Sequence, residues 1–419
     1  MNKAFTAFLP SQPTLAVYIH PQASVLGICG MTSADSRPSD MSAAVQAALQ
    51  RGDRQGALAL LREAERAAPA DKALKMQRAM VCRALGDLPG ALSALDEALS
   101  LDPYDFVALL SKGALIERTG GERAAAAIYK NALTIAPPDD ELPPPLRAPT
   151  ARAREVVART REALEAHLKA RTDAVKAEVS DATRRRFDES LGIFSGRTKV
   201  YSQEPLLLHY PRLPAIPFYD RALFPWFAEL EAATELIRGE LEGALEAARG
   251  DFAPYIAYPK GVPVNQWGEL NHSPRWSSLH LWRDGERQAD ACRLCPKTTA
   301  LLEALPLSDQ PGYAPTAMFS ALDAKTHIPP HTGSTNVRLL CHLPLILPGP
   351  ARFRVGNETR EWKMGEAWVF DDTIEHEAWN DADELRVILI FDIWNPFIDE
   401  GEKALVRALL AARKEFYEA

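Results

Sequence analysis

The sequence predicts an α+β protein: an all-α array of helical repeats, then a β-sandwich or barrel of the jelly-roll kind. Three observations carry this. A 34-residue period runs through residues 41–140, a proline-rich break follows at 136–149, and beyond about residue 195 short alternating segments separated by Gly, Pro and Asp replace the helical patterns. A chain of 419 residues exceeds one compact core, and its 47% hydrophobic and 25% charged residues are those of a globular protein. The net charge of −8, with no basic tract, argues against nucleic acid as a partner. No apolar run approaches the roughly 18 residues of a membrane span. Five cysteines form no disulfide framework, and their odd count favours a reducing, cytoplasmic setting.

Residues 1–40 read as a disordered leader. Their apolar runs are broken by Pro10, Pro13, His20 and Pro21, a poor signal-peptide pattern, and Met41 is a candidate start. In residues 41–140, Gly52, Gly86 and Gly120 are spaced by 34, as are Pro69, Pro103 and Pro137. Ala57, Ala91 and Ala125 keep the same step, as do Ala64, Ala98 and Ala132. Each unit reads as helix, glycine turn, helix and proline stop, with alanines letting paired helices approach. The pattern resembles the tetratricopeptide repeat. Such arrays bind peptides or proteins along a concave face and carry no chemistry of their own, so a protein partner is expected there. Residues 141–194 form a Pro-rich linker and one long bridging helix over about 150–190; Arg184–Arg186 read as its solvated face.

The third part spans 195–419. A helix is expected from Pro225 to Ala248, a strand and turn at 277–285, and a short helix at 295–305. Strands follow at 315–322, 337–347, 351–356, 366–371 and 386–394. Cys292 and Cys295 make one CxxC, but a structural zinc site needs a second pair or nearby histidines.

The chemistry concentrates in two stretches. "HTGSTNVRLLCHL" begins at His331, which is read as opening a strand. "AWVFDDTIEHEAWN" carries His376 after an acidic loop, and Arg386 starts the run "RVILIFDIW" ten residues later. A jelly roll brings such positions to one mouth. Imidazole suits Fe(II), and an arginine forks onto a carboxylate with two charge-assisted bonds. His342 lies in an alternating apolar run, where a buried structural histidine is also expected. Asp371 and Asp372 read as turn residues that orient the imidazoles. Trp379 and Trp394 read as core.

Residues 195–397 are similar to the aspartyl/asparaginyl β-hydroxylase family of Fe(II)/2-oxoglutarate oxygenases, through "PHTG.TN.R" (330–338), "FDD..EHE.WN" (370–380) and "R.ILIFD.W.P" (386–396), with "AMFSAL" and "CPKT" upstream. The resemblance implies a double-stranded β-helix with His331 and His376 holding iron. Arg386 and Ser320 would take the far carboxylate of 2-oxoglutarate, with His342 near its metal-binding end. The expected reaction is hydroxylation at the β-carbon of an Asp or Asn, in a peptide, protein or small molecule bearing a carboxylate or amide. One departure matters. The family arginine two residues before His342 is Leu340 here, removing a charge partner from the cosubstrate's 1-carboxylate side. Arg338, on the same face, can reach toward cosubstrate or substrate. The second position after His331 is Gly333, a glycine the family shares, rather than the carboxylate of the two-His-one-carboxylate triad of most such oxygenases, with no obvious substitute. An open coordination position also permits a halogenase, and Leu340 also permits an inactive domain in an interaction protein.

Overall fold

The computed structural model describes residues 37–247 and 249–418. The disordered leader lies outside the described residues up to position 36; positions 37–40 already belong to the first helix. The chain divides into two compact units, with the boundary at Thr160.

The first unit contains α1 (Arg37–Gln50), α2 (Arg54–Ala67), α3 (Lys72–Leu85), α4 (Leu88–Leu101), α5 (Phe106–Thr134) and the start of α6 (Pro144–Lys176). Each helix from α1 to α5 packs on its successor, as tetratricopeptide-type repeats require. The repeating alanines Ala57, Ala91 and Ala125 are fully buried. The helix starts repeat as well. Asp53 and Asp87 each accept from the backbone N–H of the glycine three residues on, at 2.8 and 2.9 Å. Asp71 and Asp105 cap α3 and α5. Gly52 and Gly86 take the left-handed turns expected of them, with φ near 80°. In the third repeat that role passes to Gly121 (φ 81°), one residue beyond Gly120, which kinks α5.

The proline-rich linker is a correction. Residues from Pro144 onward are helical: Pro144 and Pro145 lie in the first turn, where the missing N–H groups would be unpaired anyway, and Pro149 sits further inside the helix. The single bridging helix is also two. α6 ends at Lys176, and α7 (Asp181–Ser195) restarts at Ser180, whose hydroxyl accepts from Thr183 N–H at 3.2 Å.

In the second unit, the expected helix at 225–248 is two, α8 (Phe227–Ala232) and α9 (Thr234–Ala247). They are followed by β1 (Ala253–Pro254), β2 (Trp276–Arg283), β3 (Glu286–Arg287), α10 (Ala289–Leu294) and α11 (Pro296–Glu303). Next come β4 (Ala317–Leu322), β5 (Thr326–His331), β6 (Arg338–Ile346), β7 (Ala351–Val355) and β8 (Glu358–Glu361). β9 (Trp368–Phe370), β10 (His376–Asn380), β11 (Arg386–Trp394) and α12 (Glu400–Glu418) complete the unit. The larger sheet runs β1-β2-β4-β11-β6-β9, with β3 on β2; the smaller runs β5-β10-β7-β8; both are antiparallel.

β11 is central and buried along its whole length, which is why its sequence is almost continuously apolar. Its alternate residues Val387, Leu389 and Phe391 share a core with α9 to α11. Ile388 and Ile390 point the other way and pack with Phe353, Val355 and Ala378 of the smaller sheet. The two sheets thus enclose a core, and the site lies within it. Among the described residues no helix is long and apolar enough to cross a membrane.

Candidate active site

His331 closes β5 rather than opening a strand, and His376 opens β10. Pro329 and Pro330, which look like a stop in the sequence, sit in a bulge of β5, where a missing N–H breaks no ladder bond. The bulge sets His331 directly opposite His376, with ring centroids 4.1 Å apart. The ring nitrogens are sorted by backbone carbonyls. His331 Nδ1 lies 2.8 Å from the Pro329 oxygen, and His376 Nδ1 3.0 Å from the Ile374 oxygen. A carbonyl only accepts, so each Nδ1 carries the hydrogen and each Nε2 keeps its lone pair. Burial lowers both imidazole pKa values, and His331 lowers that of His376 further. Two neutral imidazoles with free Nε2 atoms are a fit donor pair for a divalent metal. Among the described residues no group of three or more His, Cys, Asp or Glu is arranged as a metal cluster, so these two rings are the protein's offer.

The larger sheet supplies the facing wall. Ser320, Leu340, His342 and Arg386 line one cavity together with His331 and His376. Arg386 is 1% exposed, and its Nε and Nη1 have no hydrogen-bond partner. Its guanidinium lies 4.6 Å from the Trp362 ring centroid, and burial pulls its pKa down to about 9. The Ser320 hydroxyl accepts from the Trp276 indole at 3.1 Å. His342, 5% exposed, is held neutral by burial and by Arg386, and its Nδ1 is unpartnered. A buried arginine without a carboxylate is costly unless an anion arrives.

Arg338 is a correction. It does not line this cavity; its guanidinium is bonded to Asp392, the residue opposite Leu340 on β11. A second correction concerns the acidic loop. Neither Asp371 nor Asp372 orients an imidazole. Asp371 accepts from the Thr373 N–H and hydroxyl, at 3.0 and 2.6 Å. Asp372 instead stands beside Gly333: a Cβ built there would lie 1.9 Å from its Oδ2. Its carboxyl is 3% exposed, its Oδ1 has no partner, and burial pushes its pKa up to about 7 against the pull of Arg338. A carboxylate therefore does occupy the space that a side chain at 333 would take. Glu375 and Glu377 face away, as alternation requires, and both bind Arg354. Trp379 is only half-buried, stacked under His327 at 4.9 Å, whereas Trp394 is core.

Gln203 was silent in the sequence. Its amide donates to Asp371 Oδ2 at 2.6 Å, and its oxygen accepts from Asn336 Nδ2 at 3.0 Å. It thereby ties the loop after His331 to the loop before His376. Leu206 and Leu207 add backbone bonds to the Gly333 and Ser334 oxygens, at 2.9 and 2.8 Å. No local pattern marks such a strap.

Comparison with known proteins finds similarity to hydroxylases. A family model described as aspartyl/asparaginyl β-hydroxylase matches residues 231–396. The chain is similar to that family over this stretch. The mouse aspartyl/asparaginyl β-hydroxylase is 35% identical over 188 residues, 44% of this chain and 25% of that protein. The ornithine lipid ester-linked acyl 2-hydroxylase of Rhizobium tropici is 36% identical over 196 residues, 46% of this chain and 66% of that protein. The chain thus spans about a quarter of the mouse relative and under two thirds of the rhizobial one. Among solved structures, the Arabidopsis OM64 TPR domain aligns at 20% identity over 29% of this chain and 94% of its own, with a TM-score of 0.25.

Proposed function

We propose that this protein is an Fe(II)/2-oxoglutarate-dependent dioxygenase that hydroxylates an unactivated carbon. The observation that carries the reading is Arg386, a buried cation with free N–H groups, in one cavity with two neutral imidazoles. A dicarboxylate meets both needs: one end pairs with the guanidinium and the other reaches the metal. His331 and His376 would hold iron through Nε2. Arg386 would take the far carboxylate, with Ser320 beside it, and His342 would stand near the metal-binding end. Iron supplies the site for dioxygen activation. The chain's own part is to fix the two rings, seat the dicarboxylate and keep water from the reacting carbon.

The orphaned arginine also speaks against an interaction protein with a retired domain, since such a domain gains nothing from an unpaired buried charge. The carboxyl of Asp372 beside Gly333 disfavours a halide there, so hydroxylation is preferred to halogenation. Two substrate types come from the relatives' names: an Asp or Asn side chain of a peptide, protein or small molecule, and an ester-linked acyl chain. We assign the helical repeats to a peptide or protein partner, and the protein to the cytoplasm, where its buried free cysteines stay reduced. The test is an anaerobic titration with Fe(II) and 2-oxoglutarate, followed by succinate detection on admitting oxygen. Stoichiometric binding and succinate formation are expected; an absence of both would refute the reading.

A further inference from the structure

Arg386 does not stand stranded alone in this cavity, and its stranded neighbour deepens the oxygenase reading, on which the inference rests. Among the described residues, three side chains that line the cavity hold buried polar atoms without a hydrogen-bond partner: Arg386, His342 and Trp362. The first two already have a part in seating the dicarboxylate; Trp362 has none. It follows β8 directly, and its backbone N–H donates to the Ala351 oxygen at 3.1 Å. Its ring packs on Phe353 and Trp368, with centroids 5.3 and 5.5 Å away, and carries the Arg386 guanidinium at 4.6 Å. Trp362 is 4% exposed, and its indole N–H meets nothing. Trp276, the other indole in the lining, spends its N–H on Ser320.

An indole N–H only donates, and it carries no charge. Burying it unmet costs free energy that an arriving acceptor recovers. A carboxylate offers about four acceptor positions. The Arg386 fork fills two of them. The Ser320 hydroxyl accepts from Trp276, so its own hydrogen is left to fill a third. We propose that the Trp362 N–H fills the fourth, which makes Trp362 a binding residue for the far carboxylate of 2-oxoglutarate. The seat is then built of donors alone and drawn from both sheets, Arg386 and Ser320 from the larger and Trp362 from the end of β8 in the smaller. Such a seat takes a carboxylate and refuses a primary amide, whose own N–H groups would face donors. The Trp362 ring also lies against the guanidinium and keeps the fork from turning away.

The test uses the full chain loaded with Zn(II), which takes imidazole ligands and has no redox chemistry. Calorimetry follows two probes: 2-oxoglutarate, and oxalate, which reaches the metal end and has no far carboxylate. Trp362→Phe keeps a ring beneath Arg386 and removes the N–H. It should weaken 2-oxoglutarate binding about tenfold or more, the worth of a hydrogen bond to a charged group, and leave Zn(II) and oxalate binding unchanged. Trp368 also has a buried, unpartnered indole N–H but does not line the cavity, so Trp368→Phe should change none of the three. The parent supplies a second reading that needs no variant. With isotope-labelled indoles, one N–H proton resonance should move downfield on adding 2-oxoglutarate and stay in place with oxalate. Unchanged 2-oxoglutarate affinity in Trp362→Phe, an equal loss for oxalate, an equal loss in Trp368→Phe, or no moving indole resonance would each overturn the inference. Failure of the oxygenase reading shows separately, as a parent that binds neither acid, and that result would sink both.

Discussion

Replacing Arg386 with methionine should make the protein more stable and end its response to 2-oxoglutarate. The guanidinium is buried without an acidic partner, and its pKa falls from 12.5 to about 9 through burial alone. A drop of about 3.5 pKa values corresponds to roughly 5 kcal/mol held against the charged form, which is a ceiling. Methionine fills a similar volume without a charge. It forfeits the contact over the Trp362 ring, about 1 kcal/mol. The net gain is then on the order of 3–4 kcal/mol, or about 10 °C in the melting temperature of a domain this large. Thermal melts of parent and variant, each with and without 2-oxoglutarate under nitrogen, read both halves. The parent should be raised by the dicarboxylate, and Arg386→Met should melt higher alone and ignore it. A variant that melts lower than the parent without ligand would show that the arginine is structurally compensated and would remove the argument for an anion site.

His331→Ala and His376→Ala should each weaken Fe(II) or Mn(II) binding by at least about 100-fold, since losing only an outer partner of a metal ligand costs about 10–100-fold; calorimetry checks this. Gly333→Ala drives a methyl into Asp372 and should cost about 1–3 kcal/mol in denaturant melts, with most of the loss recovered in the double variant Gly333→Ala, Asp372→Ala. His280 is pulled from 6.5 to about 4 by burial, with Arg283 adding to the effect. The unfolded chain therefore takes up a proton that the folded one refuses, so stability is full above about pH 6.5 and falls toward pH 4 by up to about 3 kcal/mol. Melts of His280→Asn across that window should be correspondingly flatter.

The helical array was legible because one period governs glycines, prolines and alanines together. The aspartate caps obey it too, at Asp53 and Asp87 and at Asp71 and Asp105. The strands with clear alternation, such as β6 and β11, were also legible. β5, β8 and β10 were not, because two prolines, a run of charges and a histidine–glutamate pair hide their pleat. Of the site, His331, His376, His342, Ser320 and Arg386 do share one cavity. Arg338 was misplaced because strand alternation fixes a face but does not reveal that Asp392 waits across the register. Asp372 was undervalued for a related reason. Its place beside Gly333 is a contact between two loops, and one-dimensional spacing carries no signal for it.

The strap around Gln203 has a practical meaning for where this domain begins. The family match starts at residue 231, yet the amide that joins the two histidine-bearing loops comes from residue 203. A fragment trimmed to the matched borders would retain His331, His376 and Arg386 and both sheets. It would also leave the Gly333 and Ser334 oxygens without the N–H groups of Leu206 and Leu207, and would set Asn336 and Asp371 adrift from each other. Such a fragment also loses the buried Phe218, Tyr219, Phe227 and Leu230 from the two cores, so minimal versions of this domain should start upstream of Gln203 rather than at the edge of recognisable homology.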